Sequence, residues 1–260
     1  MKSFLSPFNL PIQDWHGKRV WVVGASSGIG AALAEQLAQL GAKLIVSARR
    51  ESQLQDFNAQ YPESLVLPFD VQNVQEWESA APIVQSRFGG IDLIVFCAAT
   101  YRPVRTWEFS IEDANQTIHT NLSSVYYGLH AVLPTFLSQG HGGIAIIASV
   151  AGYLGLPQAT VYGPTKAALI NLAEILYNDL HDKNIGVYLI NPGFVKTELT
   201  DKNTFTMPAL QTPSQAAAHI VKGLEQGKFE IHFPKRFTFF LKLIKHLPYY
   251  WQFKLVKRVS

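Results

Sequence analysis

Arg19-Val20-Trp21-Val22-Val23-Gly24-Ala25-Ser26-Ser27-Gly28-Ile29-Gly30 is the stretch that decides how the chain folds. Arg19 to Val23 is a short β-branched and aromatic run, which reads as a buried strand. Three glycines follow at spacing G-x-x-x-G-x-G, and then Ala31 to Leu40, an Ala- and Leu-rich helix pattern closed by Gly41. Glycines at such a turn let backbone pass close to an anion. The helix start behind them offers free N–H groups and the positive end of its dipole. Placed between a first strand and a first helix, the pattern reads as a phosphate-binding turn. Gly24, Ser26, Ser27, Gly28, Ile29 and Gly30 are therefore candidates for holding the pyrophosphate of a dinucleotide. The competing reading is a tight strand–helix turn that holds nothing.

The same alternation runs outward through the chain. Lys43 to Ser47 reads as a second strand, followed by a polar helix over 51–60. Ser64 to Phe69 reads as a third strand, followed by a helix over 74–88. Ile91 to Cys97, Gly143 to Ala148 and Gly186 to Ile190 read as the fourth to sixth strands, and Phe229 to Phe233 as the seventh. A helix is expected over Thr165 to Leu180. Unbroken apolar strands are buried on both faces, which predicts a parallel sheet covered by helices. The fold class is therefore α/β: a single doubly wound, Rossmann-like domain over 1–233 with a seven-stranded parallel sheet, and an amphipathic extension over 234–260.

Composition narrows the class. The 260 residues are 48% hydrophobic and 16% charged, enough for a large core, which excludes disorder as the main state. The single cysteine, Cys97, excludes an internal disulfide and fits a reducing, cytoplasmic setting. Runs such as Leu93 to Ala99 are far below the ~20 residues of a spanning helix. The start, MKSFLSPFNLP, makes a poor secretory signal. The eight histidines show no paired ligand spacing, so no metal site is expected. The net charge of +3 hides an asymmetry: residues 1–230 carry 15 Lys and Arg against 19 Asp and Glu, whereas 231–260 carry 7 basic residues and no acid.

The motifs together resemble the short-chain dehydrogenase/reductase family. The glycine spacing matches, and Tyr162-Gly163-Pro164-Thr165-Lys166 matches its Y-x-x-x-K motif. Ser149 stands thirteen residues before that tyrosine, as the family's catalytic serine does. Asn121, in HTNLSSVYYG, matches the family's catalytic asparagine. Asn191-Pro192-Gly193 with Thr197 matches the segment after the sixth strand, and Asp70-Val71 the adenine-side contact. The resemblance spans Lys18 to Phe233. It implies a nicotinamide dinucleotide as cofactor and an alcohol–carbonyl oxidoreductase, with Asn121, Ser149, Tyr162 and Lys166 catalytic. Cys97, Ala98, Pro192, Gly193, Val195 and Thr197 join the cofactor contacts. Two departures stand out: Val23 replaces a usual threonine, and Phe96-Cys97-Ala98-Ala99 replaces N-N-A-G. An apolar packing replacement is expected there. Cys97 reads as a small core residue beside the cofactor rather than a nucleophile.

The chemistry asks for these residue types. A ketone takes hydride at carbon and a proton at oxygen, so an acid must stand beside the carbonyl. A free tyrosine, with a pKa of ~10, is too weak an acid for easy exchange near neutral pH, and a nearby ammonium favours its phenolate. Tyr162 and Lys166 are four apart and share a helix face. The resemblance places Lys166 on the nicotinamide ribose, Ser149 on the substrate oxygen, Asn121 on a water linking Lys166 to solvent, and Thr197 on the carboxamide.

Cofactor choice is read at the end of the second strand. An NAD site usually has an acid there. Here the sequence is Ser47-Ala48-Arg49-Arg50, with no acid before Glu51. Arginine pairs with a 2′-phosphate through charge-assisted hydrogen bonds, so NADP(H) is expected, with Arg49 as main contact and Arg50 secondary. The alternative is a solvated helix start.

A lipophilic carbonyl or alcohol substrate is expected from Gly152 to Pro157 and from Phe205, Met207 and Leu210 in the mixed loop 194–212. A 3-oxoacyl carrier-protein reductase is the rival within the family, and a non-catalytic dinucleotide-binding sensor or scaffold the rival outside it. Nucleic acid is not an expected partner, because the body is acidic. The family's habit of pairing two helices across a two-fold axis implies a homodimer or homotetramer through 121–136 and 165–180.

The extension reads as helical between Pro234 and Pro248. Phe237, Phe240, Leu241, Ile244 and Leu247 form an apolar face widened by Phe239 and Leu243, with Lys235, Thr238, Lys242 and Lys245 opposite. Tyr249, Tyr250, Trp251, Lys254, Lys257 and Arg258 follow. Peripheral contact with a membrane surface is expected, against the alternative that the stripe packs on the body or on a second subunit.

Overall fold

The computed structural model describes residues 7–203 and 207–257. Phe205 and Arg258, singled out above, lie outside the described residues, as does the patch at Met1 to Ser6. Seven parallel strands form one sheet: β1 (Arg19–Val23), β2 (Lys43–Ala48), β3 (Leu65–Pro68), β4 (Leu93–Phe96), β5 (Gly142–Ile147), β6 (Ile185–Pro192) and β7 (Glu230–Phe233). Their order is β3-β2-β1-β4-β5-β6-β7. The winding reverses between β1 and β4, the switch point where doubly wound sheets hold ligands at the strands' carboxyl ends.

Side-chain alternation divides the core into two layers. Trp21, Ile45, Ile94, Ile144 and Val187 face one side. They are covered by α3 (Val74–Phe88), α5 (Ser124–Gln139) and α6 (Tyr162–Leu180). Val20, Leu44, Val95, Ala145 and Ile190 face the other. There α1 (Gly28–Gln39), α2 (Glu51–Gln60) and α7 (Pro213–Glu225) close the layer. α4 (Ile111–Ile118) runs into α5 through a π-turn at His119–Ser123. The helix α7 escaped the sequence reading, although Thr212 and Gln215 form a capping box with Pro213 at the helix start.

The two departures are an apolar repacking. Val23 and Phe96 are register partners in the same core layer. Phe96 lies 6.0 Å from Trp77, ring to ring. The space for its ring comes from Gly128, where a Cβ would come within 2.4 Å of it.

The extension forms α8 (Lys235–Lys245) and α9 (Tyr249–Val256), and its inward face differs from the expected one. Leu241, Ile244 and Val256 pack with Val150 and Tyr153 in a third apolar cluster. Burying two such side chains as fully as Leu241 and Ile244 contributes about 1.5–3 kcal/mol each. Thr238, expected on the polar side, is buried and hydrogen-bonds His232 Nδ1 at 2.6 Å. Lys242, also expected outside, turns to Glu230. Phe239, Phe240 and Leu243 point outward and are exposed. The inward face thus holds Thr238, Leu241 and Ile244, with Lys242 paired to the body's Glu230 at its edge.

Candidate active site

The glycine turn shows why side chains are excluded from it. Gly24 adopts φ +93°, and a Cβ there would lie 2.5 Å from Ala98 N. A Cβ on Gly30 would come within 2.1 Å of Gly24 O. Ser27, at the cap of α1, makes no side-chain capping bond, and no acid lies in the first turn. The first N–H groups of α1 therefore lack a side-chain partner, a ready anion site.

Above this turn lies a cleft of about 460 Å³ at the carboxyl ends of the strands. Gly24, Ser26, Ser27, Gly28 and Ile29 line one side, Asp70, Val71, Cys97 and Ala98 the middle, and Pro192, Gly193, Val195 and Thr197 the far side. Arg49 and Arg50 stand at the end of β2, and Ser149, Tyr162 and Lys166 at the end of β5 and the start of α6. A larger cleft, about 680 Å³, sits at the opposite end, around Lys18, Asp92 and Gly142. It is at the wrong end of a parallel sheet for a dinucleotide.

Lys166 is fully buried, and its Nζ donates to Ile147 O at 2.8 Å. Burial pulls its pKa down to about 8. Its Nζ lies 5.5 Å from the Tyr162 ring centroid. Burial pushes the Tyr162 phenol up to about 12, and a hydrogen bond with the Ser149 hydroxyl offsets part of that. Desolvation is thus the largest influence on the Tyr162 phenol, and the Lys166 ammonium is committed to the Ile147 carbonyl. Ser149 stands two residues past the end of β5 and caps the short turn Val150–Gly152, its hydroxyl accepting from Ala151 N at 3.1 Å.

Asn121 sits in the π-turn, a distortion often found at functional sites. Its side chain is engaged twice with the Thr100 backbone, at 2.7 and 2.9 Å, and with Thr165 Oγ1 at 3.3 Å. It braces the end of β4, where the family's usual asparagines are missing. Burial pushes the Cys97 thiol up to about 11, against a nucleophilic thiolate there. Asp70 accepts from Gln72 N at 3.0 Å, and Thr197 stands against Gly28.

The family profile described as short chain dehydrogenase matches residues 18–207. The chain belongs to this family. An uncharacterized oxidoreductase of Staphylococcus aureus (strain USA300) is 31% identical over 209 residues, covering 80% of this chain and 90% of that protein. One from Myxococcus xanthus (strain DK1622) is 33% identical over 231 residues, covering 87% and 91%. A short-chain dehydrogenase/reductase from Burkholderia phymatum, solved in complex with NAD, superposes with TM-score 0.81 at 25% identity, covering 88% of this chain and 93% of that one. A short-chain dehydrogenase from Streptomyces avermitilis gives TM-score 0.78 at 25% identity, covering 87% and 92%.

This short-chain dehydrogenase is an oxidoreductase with a nicotinamide-cofactor cleft, and three side-chain contacts in and around that cleft were missed in the sequence. Tyr101 stands edge-on to Tyr162, centroids 4.9 Å apart, and its hydroxyl donates to Asn203 Oδ1 at 2.9 Å. Glu198 pairs with Arg50 at 3.0 Å while Arg50 Nε reaches Ser26 at 3.3 Å. Tyr153 donates to Glu230 at 2.6 Å, and Asn191 and Lys242 join the same carboxylate. The position of Tyr101, two residues past Ala99 at the switch-point strand, was the available signal. The other two pairings join distant segments and leave none.

Proposed function

We propose that the protein is an NADP(H)-dependent oxidoreductase that interconverts a lipophilic alcohol and its ketone or aldehyde. The observation that carries the reading is the meeting of Ser149, Tyr162 and Lys166 beside the uncapped start of α1 in one cleft. The turn at Gly24 to Gly30 fits a pyrophosphate, and Lys166 with Tyr162 the nicotinamide ribose. Bound there, the reduced nicotinamide supplies hydride to the carbonyl carbon. Ser149 donates a hydrogen bond to the carbonyl oxygen and fixes its place. Tyr162 gives its hydroxyl proton to that oxygen, and the alcohol results. In the reverse direction the Tyr162 phenolate takes the proton back. Lys166 stabilises that phenolate while it lasts, and Asn121 holds the strand ends that frame the site.

Arg49 supports the phosphorylated cofactor. It is exposed at the cleft, and no acid stands between the end of β2 and Glu51. Arg50 is shared with Glu198, which leaves Arg49 the principal contact. The Tyr101 ring, edge-on to Tyr162, supports a lipophilic substrate. Tyr126 and Leu137 on α5 and Ile175 on α6 stay about half exposed at 52%, 50% and 49%, which supports self-association through these helices. Light scattering is expected to give a multiple of 28.9 kDa; the monomer mass overturns the pairing.

The test is a panel of ketones, alcohols and 3-oxoacyl thioesters, with NADPH and NADH compared by initial rates. Turnover of apolar ketones with NADPH preferred supports the reading. Preference for NADH overturns the cofactor, and turnover of acyl thioesters alone overturns the substrate.

A further inference from the structure

α8 and α9 carry two apolar stripes rather than one. The inner stripe, Thr238, Leu241 and Ile244, is spent on the body. The outer stripe runs through Phe239, Phe240 and Leu243 and continues into Tyr249, Tyr250 and Trp251, all between 45% and 72% exposed. Their rings are already organised: Tyr250 stands edge-on to Trp251 at 5.3 Å, and Tyr249 stacks on Phe253 at 5.7 Å. A surface this apolar on a water-soluble face marks a contact site.

The charges around it name the occupant. Lys235, Arg236, Lys245, Lys254 and Lys257 are exposed, and residues 231–260 contain no acid to pair with them. The cations interleave with the rings: Lys254 lies 5.5 Å from the Trp251 centroid and 5.7 Å from that of Tyr250, and Lys235 5.9 Å from that of Phe239. A second copy of this face would set these cations against their own equivalents, which a two-fold contact repeats on both sides. Aromatic rings at headgroup depth, flanked by lysines that reach phosphates, is instead the pattern of an interfacial anchor. No helix among the described residues is long and apolar enough to cross a membrane.

We propose that α8 and α9 form a docking face for the interfacial zone of an anionic phospholipid bilayer. Phe239, Phe240, Leu243 and Trp251 enter the headgroup region, and the five cations engage lipid phosphates. The same helices pack on the body beside the catalytic cleft. Val150 and Tyr153, just past Ser149, contact Leu241 and Ile244, and Phe237 lies 5.7 Å from Phe194, ring to ring. Docking therefore fixes the face that borders the Ser149 turn against the lipid surface. The docking itself does not rest on the cofactor or substrate proposed above.

The experiment is flotation of the full chain with vesicles of neutral phosphatidylcholine, or of phosphatidylcholine with about a third phosphatidylglycerol, at low and high salt. Removing the tail would strip Leu241 and Ile244 from the core, so surface variants are used: Phe240→Ser with Trp251→Ser, and separately Lys245→Gln with Lys254→Gln. Binding to the anionic vesicles is expected, weakened at least tenfold by either double variant and by salt, with unchanged thermal melting. Absence of binding by the full chain, or equal binding to both vesicle types, overturns the proposal. So does a loss of oligomer in the aromatic variant without any vesicle binding, which assigns the face to a second copy of the chain.

Discussion

The Lys166 ammonium nitrogen is tied to the main-chain oxygen of Ile147, 2.8 Å away. Ile147 ends β5, and Ser149 stands two residues beyond it. One hydrogen bond thus ties α6 to the strand that leads to Ser149, and Tyr162 at the start of α6 hydrogen-bonds that serine.

That arrangement fixes a pH dependence. Burial raises the Tyr162 phenol to about 12, with Ser149 offsetting part, and lowers Lys166 to about 8. Alcohol oxidation needs Tyr162 as phenolate, and that fraction grows about tenfold per pH unit below its pKa. Its kcat/KM is expected to climb through neutral pH and to bend above about 8, where Lys166 loses its charge. Ketone reduction needs the phenol and is expected to stay level over the same range. A level oxidation profile from acid to alkaline pH contradicts the assignment of Tyr162.

Tyr162→Phe removes the proton donor and leaves the packing of the ring. Turnover is expected to fall ~10²–10⁴-fold, the usual share of a general acid. Cofactor affinity, followed by nicotinamide fluorescence, is expected to hold. Lys166→Ala should lose both turnover and affinity, because Lys166 is proposed to hold the ribose. Retained affinity in that variant would remove Lys166 from the cofactor.

Arg49→Ala removes the proposed partner of the 2′-phosphate. Hydrogen bonds to charged groups contribute about 1.5–3 kcal/mol, so the KM for NADPH is expected to rise roughly tenfold to a hundredfold. The KM for NADH should change little. Equal losses with both cofactors would mean that Arg49 serves the adenosine or the fold.

Asp92 gives a stability test far from the cleft. Burial alone would raise its pKa, but the hydrogen bonds and charge of Arg19 hold it at about 2, against 3.8 for the free group. A depressed carboxyl stabilises the fold above its unfolded pKa and loses that contribution as pH falls toward the folded one. Asp92→Asn is expected to cost about 2 kcal/mol at neutral pH, read by urea denaturation. The gap should close between about pH 4 and pH 2. A gap that persists at low pH would mean that packing, not charge, holds the pair.

The site was legible where chemistry and local pattern coincide. The turn at Gly24 to Gly30 is read from its local pattern, and the pair Tyr162–Lys166 from the family resemblance, because each lies within a single element or turn. The strands were legible within a few residues, since β-branched runs buried on both faces leave no polar gaps to misplace. Thr238 was misread because helical periodicity reports which residues share a face, not which face meets the body. The inward face meets Glu230, His232, Val150 and Tyr153, which lie outside the helix in the sequence. Tyr101 belongs to a loop with no repeating pattern, so its place just past the switch-point strand was the one signal for it, and the contact of its ring with that of Tyr162 shows only in the fold.

The measurement that bears most directly on the central claim is isotope transfer. NADPH deuterated at the reactive nicotinamide carbon is incubated with the protein and an apolar ketone, and the alcohol is read by mass spectrometry. The account predicts one deuterium on the carbinol carbon, with one face of the nicotinamide used, and a loss of the product with Tyr162→Phe. An alcohol free of deuterium, or a Tyr162→Phe protein that forms it as fast as the parent, would contradict the account.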